Sequence, residues 1–220
     1  MKLSKETVEI LKNFSAQNMS VLLLPGQVQR TISPTKTLMC KANITEDLPS
    51  EAGVNDLSGF LALYSLFDDP DIAFGEKCFT FSDSKNRKAK YYYAAKEAII
   101  YPEKIPVFPQ VDVSFNLDHD VLKEAVDAAN TLKVPDLAVV GSEGLLSIRA
   151  ADNRNSTSND WVVEVGKTDL TFNIIIRMDN IKFMAKDYVV DISKKRIARF
   201  TSTDKVLEYL VSVETNSTFS

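Results

Sequence analysis

Apolar positions recur with helical spacing in four segments of the chain and alternate along most of the rest. In the first, Thr7, Ile10, Leu11 and Phe14 form one stripe, with Lys5, Glu9, Lys12 and Ala16 opposite and Ser4 placed to cap the start. In the second, Asp56 precedes Leu57 to Phe67. Leu57, Phe60, Leu61 and Tyr64 face one way, and Ser58, Ala62 and Ser65 the other. The third runs from an Asp118 cap to about Leu132, with Val121, Leu122, Ala125, Ala129 and Leu132 as its stripe and Lys123, Asp127 and Asn130 opposite. The fourth is short, Met178 to Met184. Strand-like alternation fills the intervals, and Pro25-Gly26 and Gly141 to Gly144 are spaced to turn hairpins.

The order of elements repeats. Each half runs through a long helix, a hairpin, further strands, a short helix and a final meander, which predicts a duplicated α+β unit. The predicted boundaries are residues 1–94, a connector at 95–110, and 111–220. Three prolines, Pro102, Pro106 and Pro109, fall in the connector and predict an extended path. Its Ile99, Ile100, Ile105, Val107 and Phe108 are more apolar than a solvated linker requires, so it either packs along the body or offers an edge to a partner.

Composition narrows the chemistry. Two cysteines in 220 residues, Cys40 and Cys78, give no disulfide scaffold and suit a reducing compartment. The opening residues carry Glu6, Glu9 and Lys12 where a secretory segment would be apolar, and no run is long enough to predict a membrane helix. One histidine and two distant cysteines cannot build an ordinary zinc site, and the seven glycines form no phosphate-binding loop. His119 sits at a helix start and reads as an exposed first-turn residue. Asp68, Asp69 and Asp71 around Pro70 read as a solvated turn. No cofactor, metal or catalytic constellation is expected. A net charge of −4 argues against nucleic-acid coating by charge alone. The basic run from Lys85 to Lys90, followed by Tyr91, Tyr92 and Tyr93, reads as a charged hairpin leading into an edge strand. Alternating tyrosines point to opposite faces and cannot form one stacking platform.

The opening MKLSKETVEILKNF, the segment VNDLSGFLALYSL, the connector KIPVFP, the block TFNIIIRMDNIKFM and the ending YLVSVE occur in an order that resembles the sliding clamps of T-even-type bacteriophages, which are polymerase processivity factors. The resemblance implies a duplicated DNA-clamp fold, with helices lining a channel and antiparallel sheets outside. It implies a homotrimeric ring around duplex DNA, contacted without sequence preference. The partners implied are a DNA polymerase C-terminal peptide, an ATP-dependent clamp loader and the late-transcription machinery, with no membrane. The place implied is the cytoplasm of the infected bacterial host. On that template Lys2, Lys5, Lys12, Lys123, Lys133 and Lys182 would face DNA. Ile99, Ile100, Ile105, Val107 and Phe108, with Val211 and Val213, would line a partner-peptide groove. Tyr91, Tyr92, Tyr93, Trp161, Val163 and Val165 would lie at the subunit interface. The third helix departs from the family's basic inner helices, because Asp118, Asp120, Glu124 and Asp127 outnumber Lys123 and Lys133. The competing reading is a structural or adaptor protein of the same fold that does not encircle DNA.

Overall fold

A computed structural model describes residues 1–219. The chain divides into two compact units, Met1–Ile105 and Pro106–Ser220, and the division falls inside the proline-rich segment.

The first unit opens with α1 (Lys5–Gln17), followed by β1 (Val21–Leu23), β2 (Gly26–Ile32), β3 (Leu38–Leu48) and β4 (Ala52–Val54). Then come α2 (Leu57–Ser65) and the meander β5 (Asp71–Phe74), β6 (Cys78–Ser82) and β7 (Lys88–Tyr92). Both helices start where the sequence says they should: Ser4 Oγ accepts the Thr7 amide at 3.1 Å, and Asp56 Oδ1 accepts the Gly59 amide at 2.9 Å. A Cβ at Gly59 would lie 2.3 Å from Asp56 Oδ2, so a larger residue there would push the capping carboxylate aside. Glu46 of β3 adds a second cap on α1, taking the Ser4 amide and the Thr7 hydroxyl. Burial pushes its carboxyl up, yet these hydrogen bonds prevail and hold it below its ordinary value. The buried stripe of α1 lies on β3 and α2. The ring of Phe60 from α2 meets Phe79, Phe81 and Tyr91 edge-on at 5.0, 5.3 and 5.4 Å.

Pro25-Gly26 does not turn the expected hairpin. β1 pairs with β4 and β2 with β3. Proline has no amide to lend to a ladder, and the buried Gln29 side chain substitutes for it, accepting from Leu24 N at 2.9 Å and donating to Leu24 O at 2.8 Å. After β7 a 3₁₀ turn, Lys96–Ala98, begins the connector, and no further helix or strand forms before Val113.

The second unit repeats the plan. It contains β8 (Val113–Leu117), α3 (His119–Leu132), β9 (Asp136–Ser142), β10 (Leu145–Ala151), β11 (Trp161–Lys167) and β12 (Phe172–Arg177). The meander β13 (Tyr188–Ser193), β14 (Ile197–Ser202) and β15 (Leu207–Ser212) follows, then the short β16 (Thr218–Phe219). Strands run β11-β10-β9-β12-β16 in one sheet and β15-β14-β13-β8 in the other. Here the glycine turn behaves as expected. Glu143 and Gly144, both at positive φ, join β9 to β10 with Ser142 opposite Leu145. α3 packs on β9, β10 and β11. Its Asp118 occupies the cap position without making the cap bond. The carboxylate of Asp187 accepts the His119 amide at 2.8 Å instead.

The fourth helix is the main departure. Only a 3₁₀ turn, Met178–Asn180, forms where a helix to Met184 was expected. Phe183 turns inward against Phe200 and Tyr209, both at 4.6 Å. The Tyr209 hydroxyl takes the Met184 amide at 3.1 Å, and the Tyr188 hydroxyl donates to the Met184 carbonyl at 2.6 Å. Backbone groups that a helix would pair are thus satisfied by side chains, and the inward phenylalanine outweighs local helical propensity.

Two loops are organised by carboxylates. In the β6–β7 turn, burial pushes Asp83 up, but hydrogen bonds from the Arg87 guanidinium and the amides of Arg87, Asp68 and Lys85 hold it at about 2. In the β14–β15 turn Asp204 is likewise held at about 2 against burial, by Lys186, Ser202 and the Val206 amide. Both native values lie below the ordinary 3.8, so the stability each contributes is complete above pH ~4 and is lost as pH falls through about 2. Urea midpoints measured from pH 5 to 2 should fall steeply for the native chain and less steeply for Asp83→Asn with Asp204→Asn. Parallel curves would show that these carboxylates carry no such linkage.

Candidate nucleic-acid interface and sheet edges

The two longest helices each present one solvent face. On α1 this face is the expected one, Lys5, Glu9, Lys12 and Ala16. Lys12 Nζ lies 2.8 Å from Glu9, with both side chains 56% exposed. On α2 the exposed positions are Ser58, Ala62 and Ser65, small and uncharged. On α3 the exposed Asp120, Glu124 and Asp127 surround Lys123, which pairs with Asp127 at 2.7 Å. That hydrogen bond raises the Lys123 pKa. Lys133 ends α3 in the left-handed conformation, φ 56°, and is exposed. Lys182 is exposed beside the 3₁₀ turn. An open cavity of about 180 Å³ lies between α3 and this segment, lined by His119, Val126, Phe183 and Met184.

Lys2 is drawn away from the helix faces and pairs with Asp69, a hydrogen bond that raises its pKa. The acidic turn around Pro70 therefore does more than face solvent: Asp69 holds Lys2, Asp68 holds Lys85 at 3.1 Å, and Asp71 meets the amino terminus at 3.7 Å. Among the described residues, Lys5 and Lys133 are the two of the six lysines with no ion-pair partner.

The seven residues assigned to a groove are not equivalent. Ile99, Val211 and Val213 are buried in the core of their own units, at 6%, 0% and 7% exposure, and present no surface. Val211 on β15 and Val213 just beyond its end both turn inward, with the exposed Ser212 between them. Val107 is 94% exposed, Ile100 is exposed, and Ile105 and Phe108 are half-buried. The Phe108 ring carries the Arg199 guanidinium at 4.5 Å. Arg199 in turn donates to Asp191 Oδ2 at 2.6 Å, and Asp191 Oδ1 accepts from Ser114 at 2.7 Å. Sequence reading missed this Phe108–Arg199–Asp191–Ser114 chain, whose members meet only through strand register.

β7 and β11 are both outermost strands of their sheets among the described residues. Tyr91 and Tyr93 are half-buried with their rings against Phe60 and Phe79, and their hydroxyls donate to Asp56 O at 2.9 Å and Gly75 O at 3.0 Å at the surface. Tyr92 points outward and is 68% exposed. Along β11, Trp161, Val163 and Val165 are half-buried, whereas Val162, Glu164 and Gly166 are exposed. No metal-binding cluster of His, Cys, Asp or Glu occurs among the described residues.

This architecture is the DNA-clamp fold. The chain superposes on proliferating cell nuclear antigen (PCNA) of A. fulgidus, solved with the C-terminal region of FEN-1, with a TM-score of 0.72 over 99% of this chain and 98% of that one, at 13% identity. PCNA of Thermococcus kodakaraensis gives 0.68 at 16% identity, covering 96% of each chain. The DNA polymerase III β subunit of Bartonella birtlesii gives 0.72 at 12% identity, over 97% of this chain and 64% of that longer one. Sequence relatives are more particular. Residues 114–215 match the family described as gp45 sliding clamp, C terminal. The sliding clamp of Vibrio phage KVP40 is 28% identical over 97% of this chain and 99% of its own length. Those of Escherichia phage RB69 and Enterobacteria phage T4 are each 28% identical over 99% of both chains. The chain is thus similar, end to end, to the sliding clamps of T-even-type phages.

Proposed function

We propose that three copies of this chain close into a ring around duplex DNA and tether the replicative polymerase to its template. Full-length similarity to phage sliding clamps, together with the clamp fold, supports this reading most strongly. The work is topological rather than catalytic. A clamp must hold DNA without fixing its register, and contacts to phosphates carry no sequence information. The helix faces suit that task, because their lysines are few and two of them, Lys12 and Lys123, are paired with neighbouring carboxylates. Retention then depends on closure. The net charge of −4 per chain does not prevent enclosure, since at physiological salt it is screened beyond ~8–10 Å. It does remove electrostatic steering, so loading falls to an ATP-driven clamp loader. A polymerase C-terminal peptide would dock beside the exposed connector residues Ile100 or Val107. Late-transcription factors would use the same ring, in the cytoplasm of the infected bacterial host.

Sedimentation equilibrium tests the assembly. The expected species is about three chains of 24.5 kDa, dissociating on dilution. A monomer at every concentration would leave the adaptor reading in its place.

A further inference from the structure

We infer that Asn18 is a positioning residue for partner binding: it ties the first half of the connector to the first unit and so holds the Ile100 side chain out for a docking peptide. This rests on the polymerase-peptide reading above, and it decides between the two exposed connector residues named there.

A connector without strands must find other partners for its backbone. Just after β7 the Ala94 amide donates to the Gly53 carbonyl of β4 at 2.9 Å. The 3₁₀ turn follows and brings the Ile99 side chain inward, where it is buried. The fit against β4 is close. A Cβ on Gly53 would lie 2.4 Å from the Ala94 carbonyl oxygen and 2.7 Å from Ile99 Cδ1. Pro102 is buried as well. Two carbonyls along this stretch are taken by side chains from elsewhere in the unit. Asn18 Nδ2 donates to Ile100 O at 2.8 Å, and the Arg30 guanidinium donates to Glu103 O at 3.0 Å.

The Arg30 contact is exposed, whereas Asn18 is a buried tie. Asn18 ends α1, with its backbone amide donating to Phe14 O at 2.9 Å. A carboxamide has two N–H donors and one acceptor oxygen, and all are used here. Besides Ile100 O, Nδ2 donates to Ile32 O at 3.0 Å, and Oδ1 accepts the Ser20 amide at 3.1 Å. The group cannot swing to another partner without leaving these atoms unpaired. Ile99 is extended, φ −107° and ψ 128°, and along extended chain successive side chains alternate. With Ile99 buried and the Ile100 carbonyl held, the Ile100 side chain faces solvent at 44% exposure. Val107 lies beyond the last of these ties and is almost fully exposed, so a peptide using it would have to order it on binding. Ile100 is placed beforehand, which spares that ordering cost.

Two measurements test the assignment: anisotropy of a fluorescent C-terminal peptide from the cognate DNA polymerase, and hydrogen exchange of the Ala98 and Ile99 amides. Asn18→Ala should weaken peptide binding about tenfold and speed exchange of those two amides about tenfold, by more than any change in β6. Gly53→Ala, which pushes on the same stretch from β4, should do likewise, and it carries the test if Asn18→Ala does not fold. Phe81→Leu removes core packing in the same unit. For a similar loss of thermal stability it should leave peptide affinity within about twofold of the native value. Equal losses of affinity in all three variants overturn a positioning role, since destabilisation alone would then account for them. Faster exchange with undiminished affinity overturns it too, because the tie would hold a segment the peptide does not use. Native exchange rates in Asn18→Ala would show that the tie does not hold the connector. A native chain that fails to bind the peptide defeats the docking reading itself, a distinct result visible before any variant is made.

Discussion

Clamps loaded onto a nicked circular duplex should remain there when salt is raised, and should leave once the circle is cut. A protein held by six to ten phosphate contacts loses about 10³–10⁵ in affinity between roughly 50 and 200 mM salt. A ring held by linkage loses none, because escape requires an end or an opened interface. The contrast between circle and cut circle should therefore be close to complete, measured by gel filtration of labelled protein with DNA. Salt-sensitive loss from the intact circle would defeat enclosure. A second arm concerns the α1 face. Lys5→Glu with Lys12→Glu should leave the ring linked but shorten polymerase products on primed DNA, since the net-positive Lys5, Glu9 and Lys12 face becomes wholly acidic. Undiminished product length would remove those two lysines as channel contacts.

Asp191→Ala should markedly destabilise the second unit. Asp191 is 8% exposed on β13 and is flanked in register by Arg199 of β14 and Ser114 of β8. Removing it leaves a cation and a hydroxyl without their acceptor. Breaking a buried pair costs ~3–5 kcal/mol, and with the Arg199 side chain 28% exposed the expected loss is about 2–3 kcal/mol in urea unfolding. Asp191→Leu with Arg199→Met, which removes both charges, should recover most of it. A loss below about 0.5 kcal/mol, the scale of ordinary surface changes, would show that water already satisfies the pair.

Legibility differed between elements for identifiable reasons. The stripes of α1, α2 and α3 were readable because one amphipathic face per helix suffices to bury them. The Ser4 and Asp56 caps were readable because they act within three residues. Asp118 was not, because the bond that matters comes from Asp187, far along the chain. The stretch from Ile181 to Met184 fits a helix on paper, yet Phe183 finds three aromatic partners contributed by later strands. Val211 and Val213 show the same limit from the other side. Their type suggested a groove, and only the finished sheet shows that they face inward.

The division into two similar halves, the three amphipathic helices, the clamp resemblance and the edge character of the segment at Lys90 were readable from residue pattern alone. These depend on local periodicity and on the order of short motifs along the chain. Tertiary structure alone decided which lysines find an ion-pair partner and which apolar side chains reach solvent. Those properties belong to pairs of residues distant in the chain, and register brings such pairs together only when the sheets form.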